Sequence, residues 1–448
     1  MKGRKIAIVG LGKSGLAAAR LCLREGAKVV GFDEGGQAGP EVNALVGEGM
    51  ALRLGPLGAD AFAGFDRVVV SPGVPPREAF DAAEANGTPV IGELELAAHF
   101  TETPIVLIGG TNGKSTVTAL VAAMIEAAGQ AVFIGGNFGT PLAEAVLDDR
   151  GYDALVVEIS SFQAERVPEL RAKVHALLNI TEDHLDRYPD FAAYAQAKGN
   201  PFVNMTADDF AVIPQGDPRC AAQAARGGAQ VVTFSGEESP EATVALDPTG
   251  KALVDRRRGL LVPLAHSPLR GQHNVSNIAA AIAVASALEL PGAAIVGGLE
   301  RFSGLPHRAV MVRERAGVRF YDDSKATNVG AAVAALAGLV EPKAVLIAGG
   351  RDKQGDYAPL VEALAQKGRA LVLIGEAADR LAEAVGDTVP VVRAASLEEA
   401  VSRAAALASP GDAVLLSPAC SSYDMFKSFA ARGDAFAAAV LALAEEDA

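Results

Sequence analysis

Short β-rich runs alternate with alanine-rich amphipathic stretches from one end of this 448-residue chain to the other. The β-rich runs include "KIAIVG", "AKVVGFD" and "DRVVVSPG", then "TPIVLIGG", "DALVVEIS" and "HALLNIT", then "KAVLIAGG", "ALVLIG" and "AVLLSPA". Strand followed by helix, repeated in this way, predicts an α/β fold of parallel sheets covered on both faces. Gly, Asp, Ser or Thr stands at the ends of these runs. Ligands in open α/β sheets bind beyond the carboxyl ends of the strands, so those residues are the first candidates for chemistry.

The series separates into three domains, 1–98, 99–304 and 305–448, consistent with about 150 residues per domain. "FTETP" (Phe100 to Pro104) reads as the linker into the second. "RFSGLPHRAVMV" (Arg301 to Val312), with Gly304 and Pro306 as breakers, marks the entry to the third. Residues 200–265 are rich in turn formers and short β-like runs. Rossmann-like folds are expected for the first and third domains, and a P-loop ATPase-type fold for the central one.

Composition narrows the class. Half the residues are hydrophobic and 21% are charged, an ordinary globular balance. The apolar run Ile278 to Leu288 falls well short of the roughly 20 residues a membrane helix needs. "MKGRKIAIVGLG" turns glycine-rich before a signal-peptide apolar region could form. A cytoplasmic protein that binds no membrane is expected. Lys and Arg number 40 against 54 Asp and Glu, a net charge of −14 with no extended basic tract, which disfavours nucleic acid as a partner. Cys22, Cys220 and Cys420 are widely spaced and form no CxxC pair, so neither a disulfide framework nor a structural zinc site is suggested.

Four groups of residues carry chemistry. "GLGKSG", Gly10 to Gly15, is a full G-x-G-x-x-G between a strand and a helix, and Asp33 closes the next strand. Its glycines let backbone amides approach a pyrophosphate, and the acid can accept bonds from a ribose or base; NAD and UDP fit the pattern about equally. "IGGTNGKSTVTAL" places Lys114 after a glycine and before Ser115 and Thr116, between a strand and a helix, as in a phosphate loop. The usual first glycine is missing, because Ile108 stands in its place. Glu158 in "VVEISSFQ", and Asp183 with His184 in "LLNITEDHLDRY", follow neighbouring strands, where a carboxylate can hold a metal beside phosphates. Lys198, at the end of "DFAAYAQAK", reads as a solvated helix-end residue, with Gly199, Asn200 and Pro201 set to end the helix. In the last third, Arg308, Asp323, Lys325, Thr327, Lys353, Ser422, Phe429 and Arg432 cluster at strand ends, where cations and hydroxyls can grip a nucleotide and a carboxylate.

In their order along the whole chain, "GTNGKST", "EISSFQ", "NITEDHLDRY", "GQHNVSN", "LPHR", "DDSKATN" and "SPACSSYDMFKSFAARG" resemble the Mur ligases, in particular the branch that adds D-glutamate. The short loop is that family's form of the phosphate loop. The resemblance implies ATP-dependent ligation of D-glutamate to UDP-N-acetylmuramoyl-L-alanine through an acyl phosphate, by a monomer using ATP and two Mg²⁺ ions. It implies that Gly12, Lys13, Ser14, Asp33, Ser71, Asn137 and Ser160 meet the UDP-sugar. Gly110, Thr111, Asn112, Gly113, Lys114, Ser115, Thr116, Asn277, Arg308 and Asp323 would bind ATP. Thr327, Lys353, Ser422 and Phe429 would bind D-glutamate. Ser115 and Glu158 would hold one Mg²⁺, and His184 with a carbamylated Lys198 the second. Lys114, His184, Lys198 and Lys325 would be catalytic. Carbamylation replaces the cationic reading of Lys198 with a carboxylate-like anion.

Overall fold

The computed structural model describes every residue except 36, 149, 270, 354 and 445–448. Among the described residues the strands form sheets of five, nine and six members. The first sheet is parallel throughout: Ala51–Leu54, Lys28–Asp33, Lys5–Val9, Arg67–Val70 and Val90–Gly92 lie side by side in that order. The order reverses at Lys5–Val9, so the glycine turn Gly10 to Gly15 emerges at a topological switch point, where such sheets bind ligands.

In the nine-stranded sheet, Ile105–Gly109 lies between Ala154–Glu158 and Val174–Leu177, parallel to both. Ile108 pairs with Glu158 and Ala176 and is fully buried. The position where a longer phosphate loop has its first glycine is here a central strand residue, so the turn can begin only at Gly109 and Gly110. The far edge of this sheet departs from the all-parallel expectation. Val244–Leu246, Ala252–Asp255 and Leu260–Pro263 are antiparallel, because connections as tight as Asp247 to Lys251, with Gly250 at φ 70°, leave no length for a crossover. In the six-stranded sheet, Val310–Arg315 and Val318–Asp322 form a similar hairpin beside four parallel strands.

The contacts divide the chain into two compact units. One comprises Met1–Ile180, Ala192–His266 and Asn277–Phe302; the other comprises Thr181–Phe191, Ser267–Ser276 and the chain from Ser303 onward. Within the first unit, one continuous apolar core runs from Ile6 and Ile8 of the first sheet, through Leu21, Leu94, Leu96 and Leu142 on intervening helices, to Ile105, Leu107 and Leu155 of the second sheet. The second unit has apolar clusters on both faces of its sheet, around Leu346, Leu371 and Leu415 on one side and Val345, Val372 and Phe436 on the other. Burying each large aliphatic side chain contributes about 1.5–3 kcal/mol.

Leu96→Ala, at a fully buried position of the shared core, is expected to cost about 2–5 kcal/mol. Hydrogen exchange should then quicken in both Lys5–Val9 and Ile105–Gly109; loosening confined to one sheet would contradict a common core.

Candidate active site

The glycine turn of the first sheet is held from inside. Ser71 Oγ donates to the Gly10 carbonyl at 2.6 Å, and a Cβ on Gly15 would lie 1.9 Å from that same oxygen, so no other residue fits there. Asp33 accepts from Leu11 N through Oδ2 and from Gly35 N through Oδ1, both at 2.8 Å. Asp33 therefore shapes the turn as well as facing the switch point. Gly12 and Lys13 are exposed, Ser14 is half-buried, and space is open where a Cβ on Gly12 would stand.

In the second sheet, Gly110 at φ 135° and Gly113 at φ 86° turn the chain out of the strand and into the helix Lys114–Ala127. Both values are accessible at little cost only to glycine. Asn179, which the sequence reading passed over, anchors this turn. Its Oδ1 accepts the amides of Thr111 at 3.1 Å and Asn112 at 2.8 Å, and its Nδ2 donates to the Asn112 carbonyl at 3.1 Å. Thr111 Oγ1 also meets Tyr194 Oη at 3.0 Å. Lys114 Nζ folds back onto the carbonyls of Gly110 at 2.9 Å and Thr111 at 2.7 Å. Asn277 packs on the turn, its Oδ1 lying 2.4 Å from where a Gly113 Cβ would be. Asparagines at fixed spacing from a strand end are a signal for such an anchor, but the partner is set by sheet pairing and not by sequence distance.

Ser115 and Glu158 are each 1% exposed. Glu158 ends its strand, and its Oε1 accepts from Asn137 Nδ2 at 2.6 Å. Asn137, expected at the UDP-sugar, thus touches the carboxylate expected at the metal. Ser160 caps the helix Ser161–Ala164 in a reciprocal box with Gln163, so its hydroxyl already has a structural partner. Lys198 is 5% exposed, and its Nζ donates to the Gly110 carbonyl at 2.7 Å. The solvated reading of Lys198 does not hold: the helix Phe191–Gly199 passes into a 3₁₀ turn at Asn200–Phe202 and keeps the lysine inside. His175 is fully buried nearby, and burial pushes its pKa down to about 4, so this ring is neutral.

The second unit gathers the remaining candidates. His184 takes φ 56°, and Asp183 beside it accepts from Lys353 Nζ at 3.0 Å and from Asn328 Nδ2 at 3.3 Å. Asp323 is 8% exposed; it accepts from Ser417 Oγ at 2.8 Å and from Ala309 N at 3.2 Å. Burial pushes its carboxyl up to about 7, opposed by the Ser417 bond and the Arg308 charge. Arg308 also helps to lower the pKa of His273, for which burial is the larger cause. Lys325 Nζ sits 4.0 Å above the Phe429 ring, and the Lys325 amide donates to the His307 carbonyl. Thr327 is half-buried two residues on, and Ser422 is 2% exposed. Arg432, 1% exposed, donates to Ser324 and to the Cys420 carbonyl, tying "DDSKATN" to "SPACSSYDMF".

A phosphate loop with a buried carboxylate at the adjacent strand end, in a chain of three α/β sheets, is suited to hold the phosphates of a nucleotide with a metal ion. Family models match along the chain: a Mur ligase MurD-like N-terminal domain over residues 4–92, a Mur ligase middle domain over 108–285, and a Mur ligase glutamate ligase domain over 307–420. The chain belongs to the Mur ligase family. It is 46% identical to a UDP-N-acetylmuramoylalanine--D-glutamate ligase of Anaeromyxobacter dehalogenans, covering 97% of both chains. It is 43% identical to the enzyme of that name from Geobacter metallireducens, covering 99% of this chain and 98% of the other. Among solved structures, the fold is similar to a MurF ligase from Thermotoga maritima in complex with ADP, with TM-score 0.61, 18% identity and coverage of 98% and 94%. It is also similar to a folylpolyglutamate synthase from Mycobacterium tuberculosis complexed with ADP, with TM-score 0.61, 20% identity and coverage of 77% of this chain and 92% of that one. No helix among the described residues is long and apolar enough to cross a membrane.

Asn179→Ala would remove the side-chain acceptor of the Asn112 amide and one of two Asn179 acceptors of the Thr111 amide, leaving the Asn179 carbonyl. Each hydrogen bond lost costs about 0.5–1.5 kcal/mol, so the KM for ATP should rise roughly 2- to 10-fold in steady-state assays; an unchanged KM would show that the loop holds its shape without this side chain.

Proposed function

We propose that this chain joins D-glutamate to UDP-N-acetylmuramoyl-L-alanine at the expense of ATP, a cytoplasmic step in peptidoglycan precursor synthesis, acting as a monomer. The observation that carries the reading is the short phosphate loop with Lys114 at its helix start and Glu158 at the neighbouring strand end, in a chain so similar over its full length to ligases of that name. The domains 1–98, 99–304 and 305–448 then divide the work among UDP-sugar, ATP and amino acid.

A carboxylate is a poor electrophile, so the terminal alanine carboxylate oxygen first attacks the γ-phosphorus of ATP, and the bond to ADP breaks. The amine of D-glutamate attacks the resulting acyl phosphate, an amide forms, inorganic phosphate leaves, and the amine gives up a proton. Two anions must meet in the first step, and cations lower that repulsion. Lys114 and Arg308 are assigned to the ATP phosphates and Lys325 to the transferring group. Asn277 is assigned to adenine and Asp323 to the ribose hydroxyls. Gly12, Lys13, Ser14, Asp33, Ser71, Asn137 and Ser160 are assigned to the UDP-sugar. Thr327, Lys353, Ser422 and Phe429 are assigned to D-glutamate; Lys353 would exchange Asp183 for a substrate carboxylate.

The donor set fits Mg²⁺ in part. The Ser115 hydroxyl and Glu158 carboxylate are hard oxygen donors, buried beside the loop. An unmodified Lys198 ammonium is a cation that donates to Gly110 and cannot be a ligand, so its assignment to a second ion, with His184, requires carbamylation. When bound, the metal screens phosphate charge and polarises the bond to ADP. Intact-mass measurement should show one added CO₂, absent in Lys198→Arg; a mass matching the bare chain would remove Lys198 from the metal site.

The decisive assay is phosphate release with ATP, Mg²⁺, UDP-N-acetylmuramoyl-L-alanine and a panel of amino acids. D-Glutamate should give release well above the others, and equal release with all of them would sink the reading. Asp323 adds a pH signature. Its folded value lies above the ordinary one of 3.8, so its stabilising contribution is complete below that ordinary value and is lost as pH rises through about 7. Ribose hydroxyls donate best to the ionised form. ATP affinity should therefore rise with pH through that window, and Asp323→Asn should flatten the rise; a flat wild-type profile would argue against ribose binding by Asp323.

A further inference from the structure

Glu93 opens the helix Glu93–Ala98, is 3% exposed, and has no part in the chemistry assigned above. Its Oε1 accepts the Ala143 amide at 2.6 Å, while its Oε2 is buried without a hydrogen-bond partner. A buried carboxyl left half-satisfied is costly and calls for an explanation. Ala143 lies in the first turn of the helix Leu142–Leu147, and the chain entering that helix is the loop that carries Asn137. Gly136 N donates to Thr140 O at 2.8 Å and closes the loop on itself; Asn137 N donates to Glu158 O at 2.8 Å, and Asn137 Nδ2 to Glu158 Oε1 at 2.6 Å. A Cβ on Gly136 would lie 2.3 Å from the Glu158 carbonyl, so the loop is pressed against the strand end. One short, internally bonded segment is thus gripped at one end by Glu158 and at the other by Glu93.

We infer that Glu93 is a positioning residue: by holding Ala143 it sets where Asn137 stands beside Glu158, and so tunes the fit of the UDP-sugar. The inference rests on the reading of Asn137 proposed above.

Charge at this point is finely opposed. Burial pushes the Glu93 carboxyl up to about 7, the Ala143 bond pulls it down, and Glu144 pushes it up further. Among the elements packed on this helix, the helix Leu142–Leu147 brings Glu144, and the helix Lys13–Arg24 brings Arg20, paired to Glu144 at 2.5 Å, and Arg24, which donates to the Val146 carbonyl. The strand Arg67–Val70 brings Arg67, which meets His99 Nδ1 at 3.3 Å. On its own helix, Glu95 accepts from the amides of Glu169 and Leu170 and pairs with His99, which also pairs with Glu169. The folded value exceeds the ordinary 4.5, so the neutral form is favoured; that contribution is complete below 4.5 and is lost as pH rises through about 7. The Ala143 amide bonds the ionised carboxylate more strongly than the neutral acid, so the hold on Ala143 tightens as pH rises through about 7.

The test is the dissociation constant of UDP-N-acetylmuramoyl-L-alanine, measured by calorimetry on the full chain from about pH 6 to about pH 8, for wild type, Glu93→Ala and Glu93→Gln. Binding is read apart from turnover, so a wrong amino-acid assignment leaves this test intact. Loss of the hold on Ala143 should weaken binding about fivefold in Glu93→Ala, with ATP binding unchanged. Wild type should bind more tightly as pH rises through about 7, and Glu93→Gln, which cannot ionise, should not. Equal affinities in all three proteins, or the same pH dependence in Glu93→Gln as in wild type, would overturn the inference. If Glu93→Ala fails to fold, the pH comparison of Glu93→Gln with wild type decides it.

Discussion

The groups read as ATP-binding and metal-binding in the middle of the chain hang from one strand. Ile105–Gly109 is hydrogen-bonded to Ala154–Glu158 on one side and Val174–Leu177 on the other. Because all three run parallel, their carboxyl ends come out together, and the phosphate turn, Glu158 and the Asn179 segment meet there without any of them being near in sequence. Ile108 sits inside that pairing, fully buried. A glycine at this place would weaken a central strand, so the missing glycine of the longer loop reflects where the strand ends and not the loss of a phosphate site.

Burial governs the electrostatics of the candidate groups in each unit. Glu158, Lys198, Glu93 and, in the other unit, Asp323 are all less than a tenth exposed. In such surroundings a charge persists only if bonded, and protonation becomes responsive to small changes nearby. Lys198 satisfies itself on the Gly110 carbonyl and Glu158 on Asn137. Lys114 is bonded to the loop carbonyls of Gly110 and Thr111, and the phosphate role proposed for it requires it to leave them.

Much of this was legible along the chain. The strand–helix alternation predicted the α/β sheets, and the two glycine turns fell where a strand hands over to a helix, because φ above zero needs glycine and the amides there point outward. The family resemblance, carried by motifs in order, agrees with the models that match residues 4–92, 108–285 and 307–420. Less legible were the hairpins at the sheet edges, where short β-like runs gave strand without direction. The Lys198 environment was read wrongly from composition, since a helix-end lysine before Gly-Asn-Pro is usually solvated and only packing shows it buried.

What the sequence determined by itself is the class of fold and the chemistry its strand ends offer, since both depend on local periodicity and on residue type at turns. What the tertiary structure alone decided is which groups share a bond. Asn179 reaches back across 67 residues to Asn112, Asp183 meets Lys353 across 170, and Glu93 holds Ala143 across 50. These pairings follow from strand order and helix packing, which no stretch of sequence encodes on its own, and they set which side chains are free to meet a ligand and which are already spent on the fold.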